Sequence, residues 1–232
     1  MNNLNNMLER LENLYQFSRK KHTVFPTGFD SLDISLGNGG IMLGKIIEIF
    51  SDKGIGKSTL LLNIIKNAQK QNLFTLFIDS EHSFDKSYAQ QIGIDTNNLL
   101  IYQPENEKNI IGTIYESLAR KLVQIIAIDS YAGLDIKYSP DFIDELEKAL
   151  IKCPFKPTII YTNQMRINPK THKKITPGGM RLKRSTDIRI KLEHKCLIKK
   201  GYDTIGKTIV TTIVKNKLAP PFKTAEINLI YV

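Results

Sequence analysis

Residues 51–59 read Ser-Asp-Lys-Gly-Ile-Gly-Lys-Ser-Thr, with an apolar stretch before them and an amphipathic one after. A strand (45–50), a glycine-containing turn and a helix (57–71) in that order make a phosphate cradle. Backbone N–H groups point at the anion and the helix N-terminus favours negative charge. Ser51, Asp52, Lys53, Gly54, Ile55, Gly56, Lys57, Ser58 and Thr59 are the candidate nucleotide-binding residues. Lys57 is expected to reach the β- and γ-phosphates of ATP, and the Ser58 hydroxyl to help hold Mg²⁺. The strict G-x-x-x-x-G-K-[ST] pattern fails at one position, where Ser51 replaces the first glycine; Gly54 and Gly56 still allow close approach of the backbone to an anion. Three other polar groups end apolar strands. Asp129 closes IIAID, where it can orient the water shell of Mg²⁺. Glu81 follows FIDS, where it can polarise an attacking water. Gln164 closes TIIYTNQ, where its amide can sense a terminal phosphate.

These groups need a frame that presents strand ends side by side. Apolar runs at 45–50, 74–79, 99–102, 124–129 and 158–162 alternate with amphipathic segments at 57–71, 85–92, 108–121 and 141–151. That alternation predicts an α/β fold, a mainly parallel sheet with helices on both faces. From 188 onward, strands at 188–194, 207–215 and 224–231 follow one another without helices, which predicts an antiparallel extension at one C-terminal edge. Leu4, Met7, Leu8, Leu11 and Leu14 fall on one stripe of a helix over 3–20. A short N-terminal helix with one apolar stripe must bury it, in its own core or on a neighbouring subunit. Residues 1–25 therefore read as an oligomerisation helix and linker, and 26–232 as the core.

Charge is unevenly distributed. The chain carries a net +10, yet residues 152–200 hold 14 Lys and Arg against two acids, Asp187 and Glu193. A weakly acidic body joined to a basic segment fits a polyanion-binding surface, because clustered cations release counterions from a phosphate backbone; a solvated lysine-rich face has the same composition. Cys153 and Cys196 share no metal-ligand or paired spacing, which argues against a disulfide or structural zinc and fits a cytoplasmic protein. No apolar stretch is long enough to cross a bilayer, so no membrane role is expected.

In this order and spacing, PTGFDSLDISLG (26–37), the phosphate loop, FIDSEH (77–82), IIAIDS (125–130), TNQMR (162–166), PGGMRLK (177–183) and KNKLAPPFK (215–223) resemble the bacterial RecA recombinase family over nearly the whole chain. The resemblance implies an ATPase core of that family's fold, with ATP and Mg²⁺ as cofactors. It makes Glu81 the catalytic carboxylate, with Lys57 and Gln164 in the catalytic set, and Ser58 and Asp129 the metal site. Asp85 and Tyr88 would hold the adenine, the ring by stacking. Arg166, Ile167, Lys173, Lys174, Ile175, Gly178, Gly179 and Lys183 would form the second DNA-binding loop and its exit. Lys215 and Lys217 would reach across a subunit interface to a neighbour's ATP.

The implied partners are single-stranded and duplex DNA and further copies of the chain in a helical filament. The implied function is DNA recombination and repair by homologous pairing and strand exchange. Departures from the family are Ser51, Lys53 in place of an acid, Arg184 in place of a phenylalanine, a shorter first DNA loop over 132–143, and an end at the core sheet. These leave open an accessory paralogue that binds ATP and DNA, or modulates another filament, without exchanging strands. A hexameric RecA-fold motor fits less well with Glu81-His82 and KNKLAPPFK.

Overall fold

The structure, a computed structural model, describes residues 24–105, 108–120, 122–134, 139–153 and 156–231. The helix expected over 3–20 lies outside the described residues. A two-residue strand pair, β1 (Val24–Phe25) and β2 (Ile41–Met42), brackets a short helix, α1 (Asp30–Leu36). Asp33 holds the helix entry, accepting hydrogen bonds from the Thr27 backbone N–H (2.9 Å) and hydroxyl (2.7 Å). Gly37 ends the helix at φ 84°, a left-handed conformation suited to glycine. Residues 21–28 look like a plain linker in sequence, but 24–25 pair as a strand.

Next come β3 (Ile46–Ser51), α2 (Lys57–Gln69), β4 (Thr75–Asp79), α3 (Lys86–Ile92), β5 (Leu99–Tyr102), α4 (Lys108–Ala119), β6 (Ile125–Asp129), α5 (Ser139–Lys152) and β7 (Thr158–Gln164). A two-strand hairpin, β8 (Arg166–Ile167) with β9 (Lys174–Ile175), leads to α6 (Gly179–Ser185). The chain then runs through β10 (Ile188–Lys200), β11 (Asp203–Asn216) and β12 (Thr224–Ile230). The main sheet has the order β12-β11-β10-β3-β7-β6-β4-β5. Its first five strands in chain order and β10 pair in parallel, while β10, β11 and β12 pair antiparallel. This is the expected mainly parallel sheet with an antiparallel edge.

Both faces are covered, and the strands show why. In β6, Ile125 and Ala127 join the core on one face, and Ile126 and Ile128 the core on the other. A two-residue side-chain period that is apolar on both faces belongs inside a sandwich of helices. Helices α1, α2 and α3 supply one core; α4 and α5 supply the other, with Leu182 of α6. The parallel strands end together, so Ser51, Asp79, Asp129 and Gln164 lie along one edge, where open α/β sheets bind ligands. No helix among the described residues is long and apolar enough to cross a membrane.

Candidate active site

The phosphate loop turns on two glycines. Gly56, the residue before α2, has φ 119°, and a Cβ there would lie 2.4 Å from Leu229 Cδ1; Gly54 has φ 76°. Ser51, in place of the usual first glycine, is fully buried and donates to the Asp52 carbonyl (2.7 Å). It also receives Lys57: the ammonium donates to Ser51 Oγ (3.3 Å) and the Asp52 carbonyl (3.1 Å). Burial lowers the Lys57 pKa, and the charges of Asp129, Glu81 and Asp52 oppose that shift. Three carboxylates from three strand ends thus act on one cation at the helix start.

Asp129 is buried at the end of β6. Burial raises its pKa, while hydrogen bonds from the Thr162 and Ser58 hydroxyls favour the charged form. A single carboxylate beside the first hydroxyl of α2 fits Mg²⁺, which binds proteins through few carboxylates and keeps phosphate and water ligands. Glu81 is exposed just past β4, and the Ser130 hydroxyl donates to it. Ser80 and Ser130 clasp the two strand ends: Ser80 Oγ donates to the Ser130 carbonyl (2.6 Å) and accepts from its N–H (2.9 Å). Gly133 allows this approach, since a Cβ there would lie 2.8 Å from Ser80 Oγ. Buried Asp79 fixes the turn that carries Glu81 by accepting from the Ser83 N–H (3.1 Å), the Phe84 N–H (2.8 Å) and Gln103 Nε2 (2.9 Å). Sequence reasoning singled out neither Asp79 nor Ser130. Both lie inside the FIDSEH and IIAIDS motifs, which was the available signal.

Asp85 serves as N-cap of α3, accepting from the Tyr88 N–H (3.0 Å), and the Tyr88 hydroxyl lies 3.2 Å from Thr59 Oγ1. Tyr88 therefore stands beside the start of α2, on the helix that Asp85 caps. Gln164 is paired in register with Ser51, and the Met165 N–H donates to the Ser51 carbonyl (2.9 Å). The strand leaving the phosphate loop's flank leads directly into the basic segment.

That segment folds back as the β8–β9 hairpin. Lys174 pairs with Asp52 of the phosphate loop (2.6 Å), and Arg166 Nη2 donates to the Ala132 carbonyl (2.8 Å). Ile167 is 65% exposed and Ile175 39%; Lys173 is also exposed. The hairpin's exit is tied down by a buried polar set. Glu48 accepts from Arg189 Nε and from Asn163 Nδ2 (2.8 Å). Asn163 Nδ2 also reaches the Pro177 carbonyl (3.1 Å), and Arg189 Nη2 reaches Thr176 Oγ1 (3.2 Å). Gly178 and Gly179, at φ 91° and 62°, then open α6. Lys183 is half-buried on that helix. Lys215 and Lys217 are not brought to this chain's own phosphate loop. They donate to carbonyls at the far end of α6, Lys215 to those of Lys183 and Arg184 (3.2 Å to the latter) and Lys217 to that of Ser185 (3.4 Å), and Lys217 also pairs with the Asp187 carboxylate (3.0 Å).

The model of the RecA N-terminal domain matches residues 9–147 and 144–232. The chain belongs to the RecA family. Among curated relatives, this RecA-family chain is 37% identical to Protein RecA of Syntrophus aciditrophicus over 233 residues, covering 90% of the chain and 66% of the relative. It is 34% identical to Protein RecA of Symbiobacterium thermophilum over 241 residues (93% and 67%) and 35% identical to Protein RecA of Thermotoga maritima over 232 residues (90% and 64%). The chain spans about two thirds of the length of these RecA proteins.

Proposed function

We propose that this chain is a DNA-dependent ATPase of DNA recombination and repair that assembles as a filament on single-stranded DNA and promotes homologous pairing and strand exchange. The observation that carries this reading is the phosphate loop at the start of α2, where Lys57 donates to Ser51 Oγ (3.3 Å) and the Asp52 carbonyl (3.1 Å), on an edge that also presents the ends of β4 and β6 and from which β7 continues into the basic hairpin. In it Lys57 leaves its resting partners, Ser51 Oγ and the Asp52 carbonyl, for the β- and γ-phosphates. Ser58 and Asp129 would hold Mg²⁺, which when bound would supply charge neutralisation for the phosphoryl group. Glu81, oriented by Ser130, takes a proton from the attacking water. Gln164 relays the state of the terminal phosphate to the hairpin. Arg166, Lys173, Lys174 and Lys183 grip DNA phosphates, while Ile167 and Ile175, in a loop without Phe, Tyr or Trp, wedge between bases. Asp85 and Tyr88 flank the base, and Lys215 and Lys217 serve the nucleotide of an adjacent copy.

The test is ATP hydrolysis with and without single-stranded DNA. The expected result is strong stimulation by DNA, removed in Glu81→Gln with ATP binding retained. ATP and DNA binding without turnover in the parent would instead indicate an accessory paralogue.

A further inference from the structure

Lys207, a residue of the antiparallel edge, reaches the phosphate loop. Its ammonium donates to the Gly54 carbonyl (2.7 Å) across 153 positions of sequence. Opposite it on β12 is Leu229, the side chain that forbids a Cβ at Gly56; Lys207 Cε lies 3.7 Å from that same Cβ position. These two neighbours on one face of the edge sheet therefore press on both glycines of the loop. Nothing lies within 4 Å of the place a Gly54 Cβ would occupy, so no packing on that side fixes the turn. Lys207 belongs to no salt bridge among the described residues. Its pKa is lowered, with burial as the cause. The ammonium is half-buried, makes its hydrogen bond to one backbone carbonyl, lies 6.0 Å from the centre of the Tyr231 ring and has no carboxylate in a salt bridge with it, an arrangement that calls for a purpose.

We propose that Lys207 is a positioning residue for nucleotide binding: by holding the Gly54 carbonyl it aims the Ile55 N–H into the phosphate cradle. The peptide plane makes this obligatory, because C=O and N–H of a trans peptide point in opposite directions. Glycine at 54 leaves that plane free to flip; the lysine removes the freedom before the anion arrives, and its positive charge adds to the attraction. This inference rests on the ATP-binding reading of the loop and deepens it with a residue from a distant strand.

The experiment uses the full chain. ADP affinity is measured for the parent, Lys207→Met, which keeps the stem against Gly56, and Lys207→Arg, which keeps a donor. The backbone amide resonance of Ile55 is followed in each without nucleotide. The expected result is a roughly tenfold loss of ADP affinity in the Met variant, partial recovery in the Arg variant, and a displaced Ile55 amide in the Met variant alone. Unchanged ADP affinity in a folded Met variant overturns the proposal. So does weakened affinity with an unmoved Ile55 amide, since Lys207 would then act on the phosphates directly. If Lys207→Met does not fold, Lys207→Leu, which also lacks a donor, carries the same comparison. A parent that binds no ADP overturns the nucleotide-binding reading itself, a distinct outcome.

Discussion

Arg189→Met should be among the most damaging single changes in this protein. Glu48 is fully buried, with its side chain 0% exposed, and Arg189's is 15% exposed. Removing the guanidinium leaves a carboxylate with the Asn163 amide as its remaining partner (2.8 Å). Breaking a buried pair by deleting one member costs about 3–5 kcal/mol, and this site belongs in that range. Glu48→Gln should cost less, about 2–3 kcal/mol, because Arg189 keeps Thr176 (3.2 Å) and the face of Phe50, 4.6 Å from the ring centre. Removing both charges leaves neither stranded, so the double variant should lose only about 1–2 kcal/mol. The coupling between the two positions is then about 3 kcal/mol or more. Urea unfolding of the four proteins measures it, from midpoints at a common slope. A double variant whose loss equals the sum of the single losses would refute the reasoning. Since the same residues anchor Thr176 and Pro177, both single variants should also expose the hairpin over 166–175 to trypsin sooner than the parent.

Three further outcomes are expected. Asp129→Asn should stabilise the nucleotide-free protein at neutral pH while abolishing hydrolysis. Burial raises the Asp129 pKa, so its ionisation opposes folding above that raised value, and the gain should vanish below about pH 3.8, where both states are protonated; urea midpoints at neutral and acid pH check the sign. Gly56→Ala should lose nucleotide binding and stability together, because φ 119° and the 2.4 Å contact with Leu229 cannot both be kept; calorimetric titration with ADP and a melting curve test it. Replacing Arg166, Lys173, Lys174 and Lys183 with alanine should flatten the salt dependence of single-stranded DNA binding and leave ATP binding intact; an unchanged slope would move the contact elsewhere.

Local chemistry was legible in the sequence. The Gly-Lys-Ser-Thr turn declares a strand, a positive φ and a helix start within nine residues. The apolar strand runs gave β5 its observed bounds and β4 and β6 to within one residue. Non-local pairing was not legible. The strand expected over 158–162 runs on to Gln164, because polar Asn163 is stabilised by Glu48, 115 positions away. The strand expected over 188–194 extends to Lys200 because β11 pairs with it well past the core; exposed Lys195 and Lys199 gave no apolar period to follow. Helix α1 went unseen since its seven residues are too few to show a period, and its entry is held by Thr27 rather than by a capping side chain at Phe29. Lys207 carries no local signal, because its meaning depends on where β11 passes the loop.

The last carbonyls of α6 give Lys215 and Lys217 an occupation inside the isolated subunit. An ammonium at a helix C-terminus answers the negative end of the dipole, so these groups are already satisfied at home. In the proposed filament, an incoming triphosphate on an adjacent copy competes for cations that are in use. Their departure uncaps the helix that begins at the Gly178–Gly179 exit of the basic hairpin. Joining two subunits and loosening the DNA-facing segment then become a single exchange of acceptors. Under that proposal nucleotide is a rival ligand for the two lysines, and helix α6 would report which side has them.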